Sequence, residues 1–110
     1  MRMARIYDKP DGGRRILVDR LWPRGITKAA AQLDAWAKDI APSDMLRRAF
    51  HAGMPFEAFA AAYCEELDDA DLSVLAGEDV VLLTAAKHSP CHAHVLAEVA
   101  ARRAGNVGGL

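Results

Sequence analysis

The residues best suited to chemistry form one stretch, Asp19-Arg20-Leu21-Trp22-Pro23-Arg24-Gly25, directly behind the apolar run Ile16-Leu17-Val18. A carboxylate beside a guanidinium can serve as an oriented general base, or the pair can lock a turn through hydrogen bonds. Arg24, carried on a Pro/Gly turn, is better placed to reach solvent, and a guanidinium fork grips phosphate or carboxylate in two parallel hydrogen bonds. Trp22 offers a flat face for stacking, or an apolar body to pack beneath the loop. A second concentration of chemistry lies at His88-Ser89-Pro90-Cys91-His92-Ala93-His94. In the first turn of a helix, exposed amides bias a cysteine toward the thiolate. Helix neighbours diverge by about 100°, so Cys91 and His92 need not face one another as nucleophile and base must. The cluster has the composition of a metal site but neither four ligands nor a paired Cys-x-x-Cys, and no metal is expected. Ser43, Arg47 and Tyr63 are secondary candidates. A helix cap accounts for Ser43, and a core aromatic with its hydroxyl at a polar edge accounts for Tyr63.

Strands and helices must bring these groups together. Arg15 to Leu21 reads as a buried strand, and Val80-Val81-Leu82-Leu83-Thr84 as a strand covered on both faces. Met3 to Tyr7 is a short edge strand whose connection through Lys9-Pro10-Asp11-Gly12-Gly13 has hairpin length, favouring an antiparallel edge over a compact crossover. Thr27 caps a helix in which Leu33, Trp36, Ala37 and Ile40 fall at i, i+3, i+4 and i+7. Ser43 and Asp44 open a helix through His51. Pro55 opens a third with Phe56, Phe59, Ala60, Tyr63 and Leu67 inward, and Asp68 to Ala76 forms a brief fourth. Ser89 as N-cap and Pro90 at the first helical position start the last helix, with Val95, Leu96, Val99 and Ala100 inward and Gly105 at its end.

The fold class is therefore α/β: a small, mostly parallel sheet of about three strands packed by four to five helices. This is a Rossmann-like layered single domain over residues 1–104, with a flexible tail at 105–110. Strands separated by helices connect by a right-handed crossover and lie parallel. The ends at Leu21 and Thr84 then adjoin, and Asp19, Arg20, Trp22 and Arg24 meet the loop Ala85 to His88 and the helix start at Ser89 to His92 in one crevice.

Fourteen Lys plus Arg against fifteen Asp plus Glu, a net charge of −1 over 110 residues, give no global field for nucleic acid, so such a partner would need a local basic patch. No apolar run nears the roughly 20 residues that cross a bilayer, so no membrane partner is expected. The N-terminus lacks the apolar core of a signal peptide, and two cysteines of unlike context make no disulfide framework. A cytoplasmic location with free thiols is expected.

The runs Arg15 to Gly25 and Leu33 to Ser43, with Leu46-Arg47, Phe59, Tyr63, Glu66-Leu67 and the Leu-Leu-Thr-Ala-Ala strand before Cys-His-Ala-His-Val-Leu, resemble the YeaO-like branch of the DUF488 family. The resemblance covers nearly the whole chain. It implies a small α/β domain of unknown function whose marked positions correspond to Asp19, Arg20, Trp22, Pro23, Arg24, Pro42, Ser43, Arg47 and His92. Many similar proteins have asparagine where this chain has Cys91, which moves weight from a thiol mechanism to His92 and the arginines.

The expected function is binding of an anionic small molecule, a nucleotide, phosphate ester or carboxylate, at the strand ends. Arg20, Trp22, Arg24, Ser43, Arg47 and Ser89 would contact it, and Asp19 or His92 would move a proton or orient it. The alternatives are a non-catalytic interaction module with a protein or nucleic-acid partner, and a thiol or redox enzyme built on Cys91. No cofactor or oligomeric state is legible.

Overall fold

A Val-Val-Leu-Leu-Thr run has no polar face, so it demands cover on both sides. In the computed structural model, which describes the backbone of residues 1–108 and the side chains of residues 1–104, this run is strand β4 (Val80–Thr84), buried throughout. It sits inside a four-stranded sheet of order β1 (Arg2–Arg5), β4, β2 (Arg14–Leu17), β3 (Ala35–Trp36), every neighbour parallel. Ile16 pairs with Leu82 and Leu17 with Leu83, and the two-residue alternation of a strand sends these pairs to opposite faces. Ile16, Val18, Val80 and Leu82 join one core with Phe59, Tyr63 and Leu67 of α3 (Phe56–Leu67) and Ala93, Val95 and Leu96 of α4 (His92–Gly108). Leu17, Val81 and Leu83 join a second core with Ile6, Ala31, Leu33 and Trp36. Full burial of each such aliphatic side chain contributes about 1.5–3 kcal/mol.

The layered α/β architecture agrees with the sequence expectation, and four strands replace about three. The first strand is parallel, bonded to β4 rather than to β2, so residues 6–13 form a crossover without a helix instead of a hairpin. Gly13 shows how the chain fits: at φ +86° its missing Cβ would stand 2.7 Å from a Val81 methyl and 3.0 Å from the Asp79 carbonyl. Only glycine allows that approach.

The helix expected from Thr27 through Ile40 breaks after one turn. Thr27 does cap α1 (Lys28–Ala31), accepting from the Ala30 N–H, but Gln32 turns left-handed at φ 50°. The buried Arg15 guanidinium then binds the Ala31 and Gln32 carbonyls at 2.9–3.2 Å. Positive charge on open carbonyls completes a helix C-terminus. Asp34 accepts the Arg15 N–H at 2.8 Å, and the chain continues as β3. Ala35 and Ala37 face the first core and Trp36 the second, so spacing that fits a helical stripe is here the alternation of a strand.

Helix α2 (Asp44–His51) is capped by Ser43 as expected, whereas the brief helix from Asp68 is only a 3-10 turn at Ser73–Leu75. The last helix begins at His92, not at Ser89-Pro90, and runs through Gly105 to Gly108. The rest of the expected tail, residues 109–110, lies outside the described residues. Both cysteines are free thiols. Among the described residues no helix is long and apolar enough to cross a membrane.

Candidate functional site

The parallel sheet aims the carboxyl ends of β2 and β4 at one pocket of about 760 Å³. Loops leaving adjacent parallel strands open a crevice there, where open α/β sheets take ligands. Of the expected site residues, Asp19, Arg20, Trp22 and Arg24 line the pocket from the β2 side, Arg47 from α2, and Cys91 and His92 from the start of α4. Ser43 and Ser89 are not among its walls. Ser43 is held between helices, its N–H and hydroxyl both donating to Glu66 at 2.8 and 2.6 Å. Ser89 is exposed, with its hydroxyl 3.3 Å from His94 Nε2.

Asp19 is the hub. Its Oδ1 accepts from the Thr84 hydroxyl at 2.7 Å and lies 2.9 Å from His92 Nε2, and its Oδ2 accepts the Ala85 N–H at 2.7 Å. Burial alone pushes its pKa up. The hydrogen bonds from His92, Ala85 and Thr84, with the attraction of His92, outweigh that and leave the carboxyl below its ordinary value. His92 Nε2 also sits 3.1 Å from the Val18 carbonyl. Two acceptors on that nitrogen place its proton there, leaving Nδ1 as the other ring position. The Asp19 carbonyl in turn receives the Trp36 indole N–H at 2.7 Å, so β3 helps hold the β2 terminus.

Arg20 lines the pocket yet is pinned to its wall, with Nε donating to the Pro42 carbonyl at 2.8 Å and Nη2 to that of Ala41 at 3.2 Å. Trp22 closes its own turn by donating to the Ile26 carbonyl at 2.8 Å, and meets Trp36 edge to face at 5.3 Å. Arg24 is exposed, its backbone carbonyl anchored by the Tyr7 hydroxyl at 2.7 Å. Arg47 pairs through Nη2 with Asp44 at 2.5 Å, while its Nε is buried with no hydrogen-bond partner among the described residues.

Cys91 occupies the cap position of α4. Its N–H donates to His94 Nδ1 at 3.1 Å and its carbonyl accepts the His94 N–H at 3.0 Å, a reciprocal cap with histidine in the place usually held by Glu or Gln. Burial pushes its thiol pKa up and nearby Asp19 adds to that, against opposing hydrogen bonds from the Ala93 and His94 amides. Its Sγ lies 3.6 Å from His94 Nδ1, whereas His92 turns to Asp19, so cysteine and adjacent histidine diverge. No group of three or more metal-ligating side chains forms among the described residues.

Two roles had no counterpart in the sequence expectation: the Thr84 hydroxyl and the Ala85 amide hold Asp19. Phe50 and His51 are walls that it did not include, beside Leu21. A polar residue closing an otherwise apolar strand is the signal that could have flagged Thr84. The walls carry Arg20, Arg24, Arg47 and Lys87 with His51, His88 and His92, and among the described residues Asp19 is their sole carboxylate.

A model of the family DUF488-N3i, described as the inactive DUF488-N3 subclade, matches residues 1–106. Uncharacterized proteins of Mycobacterium tuberculosis and Mycobacterium bovis are 44% identical over 108 residues, covering 90% of this chain and 92% of each relative. The uncharacterized protein YeaO of Escherichia coli is 50% identical over 66 residues, 57% of either chain. No solved structure matches significantly.

Proposed function

The chain belongs to the DUF488 family, in its YeaO-like branch, and we propose that it binds an anionic small molecule in the pocket at the ends of β2 and β4. One observation carries this reading: a chain of net charge −1 gathers four full cations and three histidines around a pocket with one carboxylate, and that carboxylate is already hydrogen-bonded through both oxygens. A positive concavity with low-dielectric walls concentrates anions. Arg47 lines the same pocket with its Nε buried and without a hydrogen-bond partner among the described residues, a cost of about 1–3 kcal/mol that leaves its guanidinium only partly satisfied by Asp44. Leu21 and Phe50 give the walls apolar area for the rest of the ligand. A nucleotide, a phosphate ester or a carboxylate meets this description.

The role is binding rather than turnover. Asp19 holds the loop after β4 with both oxygens already accepting hydrogen bonds, and Cys91 caps a helix with its thiol kept protonated. The matching family model carries the description inactive, which agrees. The test is thermal unfolding with inorganic phosphate, adenosine monophosphate and citrate. At a hundredfold excess over Kd the gain is about 2.7 kcal/mol, a rise on the order of 10 °C. Arg47→Gln and Arg24→Ala should each shrink that rise. If no anion raises the midpoint, the reading fails.

A second reading rests on the 2.9 Å contact between Asp19 and His92. A histidine held through one nitrogen by a carboxylate presents the other as a general base. Release of phosphate from an aryl phosphate by the wild type and not by His92→Gln would favour this reading. An intact ester favours binding alone.

A further inference from the structure

Among the described residues, the buried side-chain nitrogen and oxygen atoms without a hydrogen-bond partner are Arg47 Nε and Arg5 Nε. The first belongs to the pocket above. The second lies at the end of β1, on the far side of β4 from β2, where Arg5, Lys87, His88, Ser89 and His94 line a second depression of about 410 Å³. The two depressions share Thr84, Ala86, Lys87, His88 and Cys91, so the loop after β4 is a ridge between them.

We infer that this second depression is an anion subsite centred on Arg5, and that the ligand carries two phosphate-class groups, one on each side of the Lys87–His88 ridge. The inference rests on the anion-binding reading of the first pocket. Arg5 is held in place by the fold: its Nη2 donates to the Ala85 carbonyl at 3.3 Å and its guanidinium lies over the Tyr7 ring at 5.0 Å. Its Nε is buried without a hydrogen-bond partner among the described residues, and Arg5 lines the depression beside Lys87, His88 and His94. Asp8, the carboxylate among the walls, is occupied by the Arg5 backbone N–H at 3.1 Å. Parallel strands explain the pairing of the subsites. β1 and β2 flank β4 and end at the same edge of the sheet, so each can bring a cation-bearing wall to the one loop that leaves β4. Lys87 and His88 belong to both walls and can bridge the two groups of one ligand. Linking two anions makes capture of the second intramolecular, which raises affinity without any new contact.

The test is an amide NMR titration of the full chain with inorganic phosphate and with fructose 1,6-bisphosphate, and calorimetry of the same probes on the wild type, Arg5→Gln and Arg5→Lys. The expected result has two sets of shifted amides, one around Arg5 and His94 and one around Leu21 to Arg24 and Arg47, with the bisphosphate bound at least roughly tenfold more tightly than phosphate. Arg5→Gln should remove the first set and weaken the bisphosphate by about tenfold, since a lost charge-assisted hydrogen bond is that large. It should leave phosphate at the Arg47 side unchanged. Arg5→Lys keeps the charge without the planar guanidinium fork and should fall between. Shifts confined to the Arg47 side, with bisphosphate affinity unchanged by Arg5→Gln, overturn this inference and leave the first pocket's reading intact. Absence of shifts from either probe overturns both. The wild-type shift map decides the matter even if a variant fails to fold.

Discussion

Asp19 commits its carboxylate to three neighbours that would otherwise leave polar groups unpaired at a strand end. Folding lowers its pKa, so its contribution to stability is complete above the unfolded carboxyl value of about 3.9 and is lost as pH falls through the lower folded value. Asp19→Asn should cost about 1–3 kcal/mol at pH 6, the usual range for a disrupted buried hydrogen-bond set. The gap should narrow below pH about 4. Urea midpoints of both proteins between pH 2.5 and 6 measure this, and a gap independent of pH would contradict the ionic role. Cys91 gives a second check. With burial holding the thiol protonated, iodoacetamide at pH 7.5 should modify it more slowly than free cysteine, and a faster rate would restore the thiol-enzyme alternative. The residue types at positions 19, 24, 47, 91 and 92 were readable because chemistry names its own side chains. Their commitments were not: that Arg20 would grip the carbonyls of Ala41 and Pro42 depends on a turn far along the chain.

At the level of elements, the strongly apolar pieces were legible and the short ones were not. β4 and the stripe of α3 announce themselves because their burial exceeds anything a neighbouring turn can override. Residues 33–40 carry spacing that suits two periods at once, and the decision falls to Arg15, which ends α1 from another strand. Sequence pattern has no access to that contact. The crossover from β1 to β2 is hard to read for a related reason: eight residues favour a hairpin unless a glycine lets the chain lie flat on the sheet. Gly13→Ala should therefore destabilise by about 1–3 kcal/mol, from strain at positive φ and the clash with Val81. Gly12→Ala, with open space around its Cβ, should cost less. Chemical denaturation of the pair compares them directly.

For the molecule as a whole, the sign of the charge near the pocket differs from the sign of the chain. Binding of a phosphate-class anion should consequently weaken with added sodium chloride, by screening over a distance of about 10 Å at 0.1 M. Calorimetry at 20 and 300 mM salt should register a several-fold loss, and salt-independent affinity would contradict the electrostatic account. The pocket lies at the strand ends of an open α/β sheet, where the topology leads one to expect a crevice. The second depression was not legible, because the connection between β1 and β2 suits either direction of the first strand. One further property follows from the edge-to-face contact of Trp22 and Trp36, the chain's two tryptophans. Trp22 lines the pocket, and Trp36 is bonded to the carbonyl of the carboxylate hub. The protein thus carries an intrinsic optical gauge, whose emission colour and intensity can report occupancy of the cavity and loss of the fold without any attached dye.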